Sequence, residues 1–149
     1  MNKWIAVIAA AATAAVVLPA QARNVKYMVP IAAALESPSA AGKLDSSVKL
    51  YFGTQAHPAT LSKVGIADAT GKERIEYKAD LPSCQASFVE ALRALQKNAK
   101  DSGANAVINI VSYFKNGTPV SSTTEFECHA GSFSTILMLK GELVKIADH

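Results

Sequence analysis

One segment of this chain is written in a period that no strand can satisfy. In "SFVEALRALQKNAKDSG", Phe88, Leu92, Leu95 and Ala99 recur at i, i+4, i+7 and i+11. That spacing gathers them on one stripe of a helix. Glu90, Arg93, Lys97 and Asp101 fall on the far side. Ser87 and Glu90 stand in the S-x-x-E arrangement of a capping box, in which each side chain satisfies a backbone N–H at the helix start. Gly103 supplies the stop, because glycine tolerates the left-handed conformation that ends helices. The spacing predicts one main helix over 87–102. Such a helix must lay its stripe on another layer, and the rest of the chain offers strands.

Those strands are read from period-two alternation and from turn residues. An opening strand is expected at Val25–Val29, ended by Pro30. "LESPSAAGKLDSS", residues 35–47, reads as a loop. In "SVKLYFG", Val48, Leu50 and Phe52 alternate with Lys49 and Tyr51. "LSKVGIADATGKERIEYK" holds a third strand around Lys63–Ala67 and a short fourth at Glu73–Lys78. After the helix, "ANAVINIVSYF" is apolar on both faces, as a central strand covered by the helix is. Asn116-Gly117 marks a tight hairpin, with Val120 to His129 returning beside that strand. "STILMLKGELVKI" closes the sheet as a long strand, bent at Gly141. The expected fold class is α+β, in two layers: a mostly antiparallel sheet of about five or six strands with one main amphipathic helix on a face.

The N-terminus sets the compartment. Lys3 precedes an uncharged apolar run from Trp4 to Leu18, and Ala20-Gln21-Ala22 fits the small-x-small rule of a signal-peptidase site. At about 15 residues the run is shorter than the roughly 18–20 that span a bilayer, and Pro19 breaks it. The expectation is a cleaved signal peptide over 1–22 and a single soluble domain over 23–149, periplasmic or secreted, without membrane insertion after cleavage. Loss of Lys3 lowers the formal charge of +3 by one. A charge that small favours no nucleic-acid partner and no anionic membrane surface.

Export decides the reading of the cysteines. There are two, Cys84 and Cys128, and in an oxidising compartment a lone pair in one domain is expected to form a disulfide. Such a bridge is worth about 4 kcal/mol in the chain-entropy model. Cys128 lies in "TTEFECHAGS", residues 123–132, beside Glu125, Glu127 and His129. On a strand, Phe126 and Cys128 share the inner face, whereas Glu125, Glu127 and His129 share the outer one. Cys128 and His129 therefore point apart and form no nucleophile–base pair. The three outer residues are a candidate zinc or copper face, which His57 or the terminal His149 would have to approach. The competing reading is a solvated strand face. No G-x-S-x-G elbow or H-E-x-x-H helix is present. "GIADATGKE" imitates a phosphate-binding loop, but its glycine spacing is one residue too long and Glu73 stands where a magnesium-binding hydroxyl is required. No enzyme activity is expected.

Three stretches, "VKLYFGTQAHPA", "ALRALQKNAKDSGANAVINIVSYFKN" and "SSTTEFECHAG", resemble a family of small exported bacterial proteins often labelled excinuclease ATPase subunit. The label implies nucleotide excision repair, which needs a Walker motif and zinc-binding cysteines, and this chain has neither pattern. The helix followed by "GANAVINI" is more distantly similar to the YbjQ-like putative heavy-metal-binding domain and to the globular domain of the outer-membrane lipoprotein that senses stress for the Rcs phosphorelay. The first resemblance implies metal binding or self-assembly, and the second implies protein–protein signalling in the envelope. The resulting expectation is a non-catalytic exported domain that binds a protein partner or a second copy of itself. The alternative is a metal-binding module on Glu125, Glu127 and His129 with His57.

Overall fold

A computed structural model describes residues 16–18, 21–75 and 79–147. The leader therefore falls mostly outside the described residues. So do positions 76–78 of the expected fourth strand, and His149. In chain order the elements are β1 (Val25–Pro30), α1 (Ile31–Leu35), β2 (Lys49–Phe52), β3 (Thr60–Arg74), α2 (Asp80–Asp101), β4 (Ala106–Tyr113), β5 (Glu125–Ala130) and β6 (Ser134–Ile146). The class is α+β: a six-stranded, mostly antiparallel open sheet with one main helix on a face. No helix among the described residues is long and apolar enough to cross a membrane.

The sheet is built around β6. One edge of β6 pairs with β3 along its whole length, from Thr60 opposite Ile146 to Arg74 opposite Ser134. Its other edge is shared. β4 lies against the C-terminal part, Ala106 opposite Val144 to Tyr113 opposite Met138, and β2 adds to β4 in parallel. β5 takes the N-terminal part at only two pairs, His129 with Ile136 and Ala130 with Thr135, and then carries β1 on its far edge. The sheet thus forks into a β2–β4 arm and a β1–β5 arm. The crotch is closed by polar contacts where a ladder is missing. The Glu127 N–H donates to the Ser112 hydroxyl (2.9 Å), and Ser112 and Val120 exchange backbone hydrogen bonds of 3.1 and 2.7 Å. The expected β4–β5 hairpin at Asn116-Gly117 therefore does not form as a ladder. Beyond the single Ser112–Val120 bridge the chain leaves the sheet, and β5 begins only at Glu125.

β4 is apolar on both faces because a bulge lets it serve two clusters. Between Ile108 and Val111 one extra residue enters, and Asn109 takes φ +52°, which asparagine tolerates better than a β-branched residue. Val107 and Ile110 thereby join the helix-side core, whereas Ala106 and Ile108 pack with Val144 and Ile146 on the opposite face. The expected third strand runs on without a break as β3 through Glu73 and Arg74, the first two residues of the expected fourth. The imitation phosphate loop, residues 65–73, is thus extended strand.

Helix α2 begins seven residues before the predicted start. Asp80 occupies its first turn, where a carboxylate meets the positive end of the helix dipole, and Pro82 is harmless there because early helical N–H groups have no partner. Ser87 is consequently not a cap. It is fully buried in mid-helix, with its hydroxyl 2.7 Å from that of Thr135. Glu90 pairs with Arg93 instead of reaching back. The stripe packs as its spacing requires: Phe88, Leu92, Leu95 and Ala99 are fully buried, and Phe88 stacks on Phe126 with centroids 3.9 Å apart. At the far end Gly103, with φ +79°, closes the helix, and Ala104 N–H returns to Ala99 O at 2.8 Å.

Two further contacts seat this helix. Gly71 of β3 touches its backbone: a Cβ there would lie 1.7 Å from the Ser87 carbonyl oxygen. Gln96, only 4% exposed, donates to Asp45 O and Val48 O and accepts from Asp45 N–H, so it holds the 45–48 loop against the helix. Between Pro30 and the expected loop stands the short α1, which that loop overlaps only at Leu35 and whose Ile31 and Ala34 enter the core.

Candidate functional site

Cys84, near the start of α2, and Cys128, in β5, are joined in a disulfide with Cα atoms 5.9 Å apart, and both are fully buried. The bridge spans 44 positions and ties the weakly paired β1–β5 arm to the helix. Cys128 faces inward with Phe126, as strand alternation requires. Since these are the only two cysteines, no thiol is left for nucleophilic or redox chemistry.

The outer face of β5 differs from the solvated row that alternation suggests. Glu125 is exposed, but Glu127 and His129 are buried, at 7% and 9% exposure. Three neighbours cover them. Phe114, from the loop after β4, stacks on the His129 ring with centroids 3.8 Å apart. Asn24 Oδ1 lies 2.8 Å from His129 Nδ1, and Glu127 Oε1 lies 2.6 Å from His129 Nε2. Lys26 Nζ completes the group 3.5 Å from the other Glu127 oxygen. An imidazolium satisfies both contacts with N–H donors. A neutral ring does so when the Asn24 amide presents its NH2 group. Either way both ring nitrogens are engaged, so His129 has no lone pair to offer a metal or a proton donor unless a partner leaves. Neither Asn24 nor Phe114 carries a sequence motif, so nothing in the sequence announces this cover.

His57 does not approach the group. It follows β2 at the outer edge of the other arm, where its ring lies against Tyr51 and its Nδ1 is 2.7 Å from Pro58 O. Among the described residues no three His, Cys, Asp or Glu side chains converge as a metal site. The expected four-residue set is thus split: Glu127 and His129 touch, Glu125 faces solvent, and His57 stands on the far arm.

A second polar cluster anchors the residues that follow the expected cleavage site. The Arg23 guanidinium pairs with Asp80 and donates to Gly131 O at 2.6 Å, and the Tyr27 hydroxyl donates to Asp80 at 2.8 Å. The Arg23 hydrogen bond, with that of Tyr27 behind it, holds the Asp80 carboxyl below the usual carboxylate range. The Tyr27 phenol is pushed up in turn, chiefly by its bond to Asp80.

An apolar concavity lies between α1, the end of β2 and the loop entering β5. Ile31, Leu35, Leu50 and Phe52 supply its apolar wall, and Gln55 with Thr123 and Thr124 supplies neutral polar groups, around a volume of about 490 Å³. Leu35 is 37% exposed in it. The sequence signal for the helical wall of this cleft is "IAAAL", in which four of the five residues are the strong helix formers Ala and Leu. A smaller recess of about 360 Å³ lies over His129 beside Arg23 and Lys115.

The fold and these sites define an α+β domain with a buried disulfide and an apolar cleft. No protein-family model matches the chain, and no curated protein sequence does. Among solved structures it is similar to a protein of unknown function of the DUF74 family from Pediococcus pentosaceus, with 13% identity and a TM-score of 0.47, covering 67% of this chain and 98% of that one.

Proposed function

We propose that this chain is an exported, non-catalytic binding domain that takes an apolar group of its partner into the cleft between α1 and β2. The observation that carries the reading is the composition of that cleft: apolar walls and three neutral polar side chains, with no ionisable group in the lining. Acid–base and nucleophilic catalysis need a titratable side chain in contact with the reacting atoms. Binding needs shape, apolar area and a few hydrogen-bonding groups. Export is supported by the leader pattern and by the disulfide, a bond that persists in oxidising compartments. A place in the envelope, with a role in stress signalling, follows the resemblance to exported bacterial proteins and to the Rcs sensor domain.

Titration of the mature protein with an environment-sensitive apolar dye, anilinonaphthalene sulfonate, tests the cleft. Saturable fluorescence is expected, weakened at least about tenfold by Leu35→Asp. That change adds a charge at a half-exposed wall position, so the melting temperature should hold. Dye binding indifferent to the substitution would remove the cleft from the account.

The alternative is a zinc or copper module on Glu125, Glu127 and His129, with His57. One observation favours it: the Glu127 carboxylate orients the His129 ring, as carboxylates orient metal-bound histidines. It requires displacement of Asn24 or Glu127 from the ring. Calorimetric titration with zinc and copper decides it. Uptake that disappears in His129→Ala establishes a metal module, and heats equal to those of buffer end the idea.

A further inference from the structure

Strand β3 is an edge. It pairs with β6 on one side and, among the described residues, with no strand on the other. At 15 residues it is far longer than the short edge strands by which proteins usually avoid unwanted pairing. Its two halves treat that exposure differently. The first half is blunted: the register with β6 shifts between Thr60 and Ser62 and again between Lys63 and Gly65, where the exposed Lys63 carries a charge 3.7 Å from Glu142. Bulges and an edge lysine are the devices that keep a neighbouring strand away. From Gly65 to Arg74 the register is unbroken, so this half presents a regular row of backbone donors and acceptors.

The side chains of the regular half are self-complementary. Asp68, Thr70 and Lys72 stand opposite Lys140, Met138 and Ile136 of β6, on the face away from α2. An antiparallel copy of β3 related by a two-fold axis through Thr70 sets Asp68 opposite Lys72 twice, Thr70 opposite Thr70, and Ile66, 65% exposed, opposite the stem of Arg74. Opposite charges directly across a pair of strands stabilise it, as do threonine pairs. The adjacent registers each lose the Asp68–Lys72 pairs: an axis through Ala69 sets Asp68 opposite Thr70 and Lys72 opposite Ile66, and one through Gly71 sets Asp68 opposite Arg74 and Lys72 opposite Thr70. Axes through Asp68 or Lys72 confront like charges. On the helix side Ala69 stands opposite Gly71, both small, and Ala67 stands opposite Glu73. Asp68 also accepts a hydrogen bond at 2.7 Å from the Tyr113 hydroxyl, which reaches it from β4 across β6, so in the pair its carboxylate would be shared between Tyr113 and the copy's Lys72; that bond with burial pushes the phenol up to about 12.

We infer that the partner of this edge is a second copy of the chain, joined isologously along Gly65–Arg74 into one continuous twelve-stranded sheet. The inference is independent of the cleft, since a monomer would still present it.

Sedimentation velocity across a concentration series tests the pairing with charge exchange. Wild type should dimerise. Asp68→Lys and Lys72→Asp should each weaken the dimer about tenfold or more, because each sets like charges across both symmetry-related pairs. Mixing the two single variants should restore a heterodimer, and the double variant D68K/K72D should restore the homodimer. Restoration also requires that the variants be folded, so misfolding cannot imitate it. A monomeric wild type at the highest soluble concentration would overturn the proposal. So would single variants that dimerise like wild type, or mixtures that stay monomeric.

Discussion

Gly71→Ala is expected to destabilise the domain by about 3 kcal/mol or more, and Gly71→Val to prevent folding, because overfilling a well-packed contact already costs about 1–3 kcal/mol where side chains can move aside. Here the obstacle is backbone. The added carbon would lie 1.7 Å from the Ser87 carbonyl oxygen, 2.6 Å from its carbon and 3.2 Å from the Ala91 Cβ. Neither helix nor strand can yield without separating. Since α2 carries Phe88, Leu92 and Leu95 into the core, separation there loosens the whole stripe. At about 4 °C per kcal/mol for a domain of this size, the melting temperature should fall by roughly 12 °C. Gly65, in the same strand, is the control: a Cβ there meets nothing within 4 Å, so Gly65→Ala should melt with wild type. Equal melting temperatures for the two alanine variants would refute the close helix–strand approach.

Removing the disulfide is the other change expected to dominate stability. Cys84→Ala with Cys128→Ala, or reduction of the wild type, should cost about 4 kcal/mol if the bridge acts by restricting the unfolded chain. Against a total of about 5–15 kcal/mol, that fraction moves a urea midpoint visibly. Alanine is the better replacement, because serine would leave hydroxyls in a fully buried site. Urea unfolding followed with and without reductant measures the effect. Superimposable curves would mean that the residual ladder and core suffice to hold β5.

The outcome of the sequence reading varies by element for physical reasons. The stripe Phe88, Leu92, Leu95 and Ala99 was legible because helical periodicity is local, and all four residues are fully buried. The start of that helix was not. Pro82 interrupts the helical signal in residues 80–86, and the S-x-x-E pattern at Ser87 imitated a cap. Ser83 and Ser87 are buried at positions where composition suggests solvent. The alternation that sent Cys128 inward and His129 outward was also correct in direction. What alternation cannot disclose is cover from elsewhere: Phe114 and Asn24 reach His129 across the fold, and they turn a face expected to be solvated into a buried one. The fork was illegible because sharing one edge of β6 between β4 and β5 is a choice among distant partners. The Asn116-Gly117 pair favoured the simpler hairpin.

That fork gives the covalent bridge a mechanical meaning. The β1–β5 arm grips its neighbour at two residue pairs, whereas the β2–β4 arm is laddered along most of its length. A hinge that short would swing, and the cleft between the arms would change width with it. Cys84–Cys128 rivets the loose arm to the helix. The width of the cleft is therefore fixed by a bond that thiols can cut, and reducing conditions should open it before the rest of the sheet gives way.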